Sequence, residues 1–107
     1  MRRSVIVTAL LLSVSAVLAA SSEHVVGQKN KAFSAATLKV KVGDTVSFRN
    51  DDPFFHNIFS LSEVKSFDLG SFPQGQSRKA TFTKAGTVEV ECAIHPQMKM
   101  VIQVEKK

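Results

Sequence analysis

The sequence of 107 residues contains one cysteine, Cys92, and neither tryptophan nor tyrosine. A single cysteine cannot form a disulfide within the chain, so the disulfide framework typical of small secreted domains is excluded. All eight aromatic side chains are phenylalanine, which has no polar group and suits a dry interior. The chain also lacks basic runs interleaved with aromatic residues. A solvated surface is therefore the better interpretation of its charges than nucleic-acid binding.

The first 20 residues have the layout of a secretory signal peptide. Arg2 and Arg3 precede a mostly apolar run over residues 5–18, and small residues follow at 19–22. A membrane anchor is the alternative, but the apolar run is short and interrupted for a full span. We therefore predict a signal peptide over residues 1–20, a periplasmic location, and no stable membrane association after cleavage.

Cleavage leaves residues 21–107, which are enough for one domain with a modest core. Removing Arg2 and Arg3 lowers the basic count from 14 to 12 against nine acidic residues, so the mature domain carries +3. We expect a monomer, with its charges scattered over a solvated surface.

The dominant period of residues 21–107 is two, which predicts strands. Typical runs are 38–42 and 88–92, where apolar residues alternate with lysine or glutamate. Glycine, proline, asparagine and aspartate separate seven or eight such runs, and no segment has a helical period. The prediction is an all-β sandwich with edge strands at Val25–Val26 and around Phe33, a short strand at 67–69, and a turn at 72–76.

Sulfur and imidazole ligands cluster in the loop that follows Cys92. The parity of Val88, Val90 and Cys92 points the thiol inward, and Met98 and Met100 share the inward parity of the returning strand. The loop carries His95 between them. His56 precedes another strand, and a sandwich can bring it to the same end.

One thiolate, two imidazoles and a thioether match a trigonal copper site with a weak axial ligand. Zinc is an alternative, but structural zinc sites use more cysteines and rarely methionine. A catalytic pair of Cys92 and His95 is another, but no orienting group is evident and the methionines would be unused. Each residue could also be ordinary packing, although their joint spacing makes coincidence a poor explanation.

At these residues the sequence resembles the cupredoxins, or blue copper proteins, in particular the amicyanin, pseudoazurin and plastocyanin group. The resemblance covers about residues 32–105 and rests on Gly43-Asp44-Thr45-Val46 with Phe48 and Asn50, on His56-Asn57, and on the loop 92–98. It implies a Greek-key β-sandwich. His56, Cys92 and His95 would be the equatorial copper ligands, Asn57 would tie the two ligand loops together by hydrogen bonds, and His95 would be the partly exposed ligand through which electrons leave.

The axial ligand is either Met98 or Met100. The spacing Cys-x2-His-x2-Met with Pro96 after the histidine resembles amicyanin and selects Met98, whereas a longer spacing resembles plastocyanin and selects Met100. Because Pro96 favours the tight loop, we predict Met98. Relatives commonly have Thr or Ser directly after the cysteine, where this chain has Ala93, and Pro directly before the histidine, where it has Ile94. Both changes bear on the reduction potential, because hydrogen bonds around the sulfur tune it.

The resemblance implies a one-electron carrier, with no enzymatic activity, between redox proteins such as a cytochrome c or a periplasmic oxidoreductase. Copper storage or delivery is the alternative, since it needs the same ligands. We expect Pro96 and Phe54 or Phe55 to surround His95, with at least one Phe ring facing the core. His24 is expected to be a surface residue; it would chelate Cu(II) only if cleavage followed Ser21.

Overall fold

The computed structural model describes residues 21–107, so the predicted signal peptide over residues 1–20 lies outside the described residues. Residues 21–107 form nine β-strands and no helix. The strands are β1 (Glu23–Lys29), β2 (Ala32–Phe33), β3 (Thr37–Lys41), β4 (Thr45–Asn50), β5 (His56–Ser62), β6 (Lys65–Phe72), β7 (Ser77–Thr81), β8 (Gly86–Glu91) and β9 (Lys99–Glu105). Residues 21–107 thus contain no helix long and apolar enough to cross a membrane.

The strands form two sheets, as predicted for an all-β sandwich. One sheet has the order β2-β1-β4-β7 and the other β3-β9-β8-β5-β6. Both sheets are mixed, because β1 runs parallel to β4 and β3 runs parallel to β9. β1 and β2 lie at one margin of the first sheet, where the sequence predicted edge strands. The structure has nine strands where the sequence predicted seven or eight.

The core follows the predicted alternation. Along β8 and β9 the inward residues are buried and their neighbours face solvent. The apolar core cluster consists of Val26, Val40, Val46, Phe48, Ile58, Phe72, Ala80, Phe82, Val88, Val90, Met100, Ile102 and Val104. Cys92 follows the last residue of β8 and is buried with the same parity. The thiol therefore lies at the end of the sandwich where β5 begins.

The strand predicted at 67–69 is longer than expected. β6 extends over Lys65–Phe72 because it pairs with almost the whole of β5 in an antiparallel ladder. Phe72, which the sequence assigned to a turn, is instead the last residue of β6 and is fully buried. The turn begins one residue later, at Pro73.

The opposite end of the molecule is held by Asp44. Its carboxylate accepts hydrogen bonds from His24 Nε2 at 2.9 Å, from the Lys41 N–H at 2.9 Å and from the Ser22 N–H at 2.9 Å. These bonds lower the pKa of Asp44 to about 2, the His24 bond contributing most. The contact fixes the start of β1 to the β3–β4 turn, so His24 is a partly exposed residue far from Cys92 in the fold.

Candidate metal centre

Three potential metal ligands converge where β5 begins and β8 ends. Cys92 Sγ lies 3.8 Å from His56 Nδ1 and 3.9 Å from His95 Nδ1. All three donor atoms lie within 4.8 Å of one another. Cys92 and His56 are buried and His95 is partly exposed. The structure thus brings together three of the four residues that the sequence singled out, with their donor atoms facing one point.

The spacing of these atoms suits a trigonal metal site. A nitrogen at roughly 2.1 Å and a sulfur at roughly 2.3 Å from one ion, with about 120° between the bonds, lie roughly 3.8 Å apart. The two observed sulfur–nitrogen distances are 3.8 and 3.9 Å. The two sulfur–nitrogen distances therefore suit one small ion bound between the thiol and the two imidazoles.

The two methionines are both buried, but they lie in different surroundings. Met98 belongs to the loop that carries His95, where its N–H donates to the His95 carbonyl oxygen at 2.9 Å. Its own carbonyl oxygen accepts from the Cys92 N–H at 3.3 Å. Met100 lies in β9 and belongs to the apolar core cluster. A tight turn thus bonds the Met98 backbone to the backbones of Cys92 and His95.

His56 is anchored on the side away from the thiol by a buried carboxylate. Its Nε2 lies 2.7 Å from Asp52 Oδ2, and both side chains are almost wholly shielded from solvent. Burial works to raise the pKa of Asp52, but hydrogen bonds from His56 and from the N–H groups of Lys31 and Asn30 outweigh it. The pKa of Asp52 consequently lies below its ordinary value. Asp52 is therefore a carboxylate at neutral pH.

Two asparagine side chains connect the segments of the site. The Asn50 amide donates to the carbonyl oxygens of Phe54 and Phe72, and its oxygen accepts from the Asp52 N–H. Asn57 Oδ1 accepts from the Ala93 N–H at 2.7 Å. The Asn57 bond is the link between the two ligand loops that the family resemblance predicted. Asn50 fixes the segment that leads from β4 to His56.

His95 titrates below an ordinary histidine. Its pKa is lowered first by burial and then by its electrostatic interactions with His56 and Lys31, while Asp52 opposes the shift. A neutral imidazole is the form that binds a metal. His95 is therefore ready to bind at neutral pH.

Phe54 packs against both histidine rings. Its ring centroid lies 5.3 Å from that of His56 and 5.2 Å from that of His95. Lys31 Nζ lies 5.7 Å from the same Phe54 centroid. Phe54 thus covers the edge of the site.

The expectation that Phe54 or Phe55 faces the core is wrong. Phe54 is 36% exposed and Phe55 is 55% exposed. The expectation assumed strand alternation, but residues 51–55 form a loop whose backbone is bent by its bonds to Asn50. Ile94 and Pro96, the chain neighbours of the partly exposed His95, are also exposed.

Sequence reasoning missed Asp52 and gave Asn50 no role at the site. Both lie in the run Asn50-Asp51-Asp52-Pro53, which begins at the last residue of β4 and precedes β5. A carboxylate four residues before a candidate ligand was the available signal, because histidine ligands commonly donate their second N–H to a carboxylate.

A cysteine sulfur and two imidazoles around one point, at the end of a β-sandwich, define the class of single-copper β-sandwich proteins. The match to a family model makes the class specific: residues 20–106 match the model described as copper binding proteins, plastocyanin/azurin family. The chain belongs to this family. Its cofactor is a single copper ion.

Individual relatives agree with the family. The chain is 32% identical over 100 residues to the methylamine utilization protein MauL of Methylorubrum extorquens, covering 92% of this chain and 88% of MauL. It is 34% identical over 76 residues to amicyanin of Paracoccus denitrificans, covering 68% of this chain and 58% of amicyanin.

Solved structures support the same fold. A reduced amicyanin mutant matches with a TM-score of 0.73 and 31% identity, covering 80% of this chain and 85% of that chain. A copper-containing nitrite reductase from Thermus scotoductus matches with a TM-score of 0.74 and 28% identity. That match covers 79% of this chain but 23% of the reductase, so this chain is similar to a part of the enzyme.

Proposed function

We propose that this protein is a periplasmic blue copper protein that carries one electron at a time between redox partners. His56, Cys92 and His95 would be the equatorial ligands and Met98 the axial ligand. The observation that carries the proposal is the convergence of three donor atoms within 4.8 Å in a hydrogen-bonded frame. A site formed in advance changes little when the ion changes its charge, and a small rearrangement keeps the barrier to electron transfer low.

The residues of the chain have distinct tasks in this mechanism. Bound copper supplies the one-electron chemistry, cycling between Cu(II) and Cu(I). Cys92 and His56 are buried, so they exclude water from the inner side of the site. Asp52 and Asn57 hold the two ligand segments in place through hydrogen bonds. His95, which is partly exposed, would provide the route by which the electron crosses the surface.

Met98 is favoured over Met100 as the axial ligand because of its position in the chain. Met98 lies in the short loop that joins Cys92 to β9, and its backbone is bonded to both Cys92 and His95. Met100 packs inside the apolar core cluster, which gives it a role that needs no metal. A thioether in the ligand loop also agrees with the soft ligands that copper accepts.

The proposed docking surface is the apolar collar around His95, which we define as Phe54, Phe55, Ile94 and Pro96. All four are exposed, and Phe54 contacts the His95 ring. The partner would be a cytochrome c or a periplasmic oxidoreductase. The similarity to a methylamine utilization protein makes an amine-oxidising oxidoreductase one candidate. The net charge of +3 on residues 21–107 favours an acidic partner surface.

The absorption spectrum of copper-loaded residues 21–107 tests the proposed function. We expect an intense visible thiolate-to-Cu(II) band and reversible one-electron cycling. Cys92→Ser should abolish the band, and His56→Ala should weaken copper binding sharply. His24→Ala is the matched control, because His24 pairs with Asp44 in a different part of the fold and should leave the spectrum unchanged.

Copper delivery is the competing function, and the same preparation separates the two. A delivery protein would hold mainly Cu(I) and release it readily to an acceptor. A carrier would retain copper through repeated oxidation and reduction. An intense visible band that persists in Cys92→Ser would contradict the ligand assignment, and rapid loss of Cu(I) to a competing acceptor would favour delivery.

The electron-transfer rate with acidic and basic cytochromes tests the docking surface. An acidic partner should react faster at low salt and slow as salt is added, because salt screens charges beyond about 10 Å at 0.1 M. Ile94→Ser should slow the reaction. Leu61→Ser is the control, since Leu61 is 78% exposed and lies five residues along β5 from His56, roughly 16 Å away. Rates that rise with salt would contradict the partner's charge.

A further inference from the structure

The buried Asp52 carboxylate interacts both with the candidate ligand His56 and with a turn that lies more than 20 residues earlier in the chain. The carboxylate is 3% exposed and interacts with three donors. Its Oδ2 lies 2.7 Å from His56 Nε2 and 3.1 Å from the Lys31 N–H, and its Oδ1 lies 2.7 Å from the Asn30 N–H. Asp52 itself is not one of the converging donors around Cys92.

The turn that holds Asp52 has an unusual backbone. Asn30 and Lys31 join β1 to β2 and both have a φ of 55°. Two consecutive positive φ angles are typical of the tight turns of β-hairpins. In this turn both N–H groups point to the same carboxylate, and together they fix its two oxygens. Asp52 is therefore oriented by the turn rather than by His56 alone.

The orientation of Asp52 has a consequence for His56. When Nδ1 of a neutral imidazole binds a metal, the ring proton must be on Nε2, which then donates a hydrogen bond. Asp52 Oδ2 is the acceptor at that position, at 2.7 Å, while Nδ1 faces Cys92 Sγ at 3.8 Å. The carboxylate thus selects the one tautomer and the one ring orientation that present Nδ1 to the metal.

We propose that Asp52 is a positioning residue of the copper site. The Asn30–Lys31 turn fixes its carboxylate, the carboxylate orients the His56 ring, and its charge favours Cu(II) over Cu(I). The inference rests on the proposed role of His56 as a ligand. A carboxylate bonded to the imidazole N–H raises the donor strength of the ring, and its negative charge stabilises the more positive ion. The effect should therefore be larger for Cu(II) than for Cu(I).

Asp52→Asn tests the proposal, with Asp51→Asn as the matched control. Both variants remove one negative charge, but Asp51 bonds Arg49 near the surface and makes no bond to His56. We expect Asp52→Asn to lower Cu(II) affinity about 10–100-fold. Each tenfold loss in Cu(II) affinity beyond that in Cu(I) affinity raises the reduction potential by about 59 mV. Asp51→Asn should change both affinities less than about twofold.

A measurement without copper keeps the proposal testable if Asp52→Asn folds poorly. Nitrogen-15 NMR of the wild-type, metal-free protein should show the His56 proton on Nε2 and protected from exchange with water. A His56 proton on Nδ1 in the wild type would overturn the proposal, as would equal affinities and potentials for the two Asn variants. If the copper-loaded wild type showed no intense visible band, the proposed function itself would be overturned, so the two failures are distinguishable.

Discussion

Replacing Asn50 with alanine should destabilise the metal-free protein by about 4 kcal/mol. The Asn50 side chain is fully buried, and its Nδ2 donates to the Phe72 carbonyl oxygen at 3.0 Å and to the Phe54 carbonyl oxygen at 2.8 Å. Its Oδ1 accepts from the Asp52 N–H at 2.8 Å. These three bonds shape the loop that connects β4 to His56, so Asn50→Ala perturbs the loop without touching a candidate ligand.

The magnitude follows from which groups lose a partner. The Phe72 carbonyl and the Asp52 N–H belong to buried residues, and each unsatisfied buried group costs about 1–3 kcal/mol. Phe54 is partly exposed, so water can replace its lost bond at little cost. The two buried groups together give about 2–6 kcal/mol. For a domain of this size, about 4 kcal/mol lowers the melting temperature by about 16–32 °C.

Thermal unfolding of metal-free residues 21–107, followed by far-ultraviolet circular dichroism, measures the effect. The lack of tryptophan and tyrosine makes fluorescence a poor probe. Asn57→Ala is the control, because Asn57 makes one side-chain bond, to the exposed Ala93, and should cost about 1 kcal/mol. Equal melting temperatures for the two variants would refute the reasoning that Asn50 holds the loop.

Four further substitutions have defined outcomes. Met98→Leu should raise the reduction potential in voltammetry, whereas Met100→Leu should cost under about 1.5 kcal/mol with little spectral change; the opposite pattern would make Met100 the ligand. Gln28 is fully buried, and its amide has no hydrogen-bond partner among residues 21–107, so Gln28→Met should raise the free energy of unfolding in urea by about 1–3 kcal/mol. A loss of stability would contradict this account. Asp44 has a folded-state pKa of about 2, below its ordinary 3.8, so its stabilising effect is present above about pH 4 and lost as the pH falls through about 2. Asp44→Asn should therefore flatten the dependence of melting temperature on pH in that window, and an unchanged slope would exclude Asp44 as its source.

Strand parity predicted the inward residues of the site because parity is a local property. Val88, Val90 and Cys92 alternate with the exposed Glu89 and the half-buried Glu91, and the same period buries Met100, Ile102 and Val104. The position of His95 between these strands follows from the chain. Strand parity does not place His56 at the site. The prediction of His56 rests on ligand chemistry, because a copper site of this type needs a second imidazole.

The contacts that hold the site could not be predicted from the same pattern. Asp52 bonds Asn30 and Lys31, which lie more than 20 residues away and meet it through the parallel pairing of β1 with β4. The hydrophobic period carries no information about which strands are parallel neighbours. The same limit explains the error at Phe54 and Phe55, since loop residues do not alternate between two faces.

The two imidazoles of the site are held in opposite ways. This difference favours recognition of a redox partner by the shape of the surface around His95. His56 is buried and fixed by a carboxylate, whereas the His95 ring has no carboxylate partner among residues 21–107 and lies beside Phe54. The negative charge beside His56 is therefore already buried before a partner binds. A partner that covers His95 displaces water from apolar side chains, which is favourable, and desolvates no carboxylate. Lys31 Nζ lies 5.7 Å from the ring centroid of the collar residue Phe54, so charge should steer the encounter, and the fit of the proposed collar should decide which partner reaches His95.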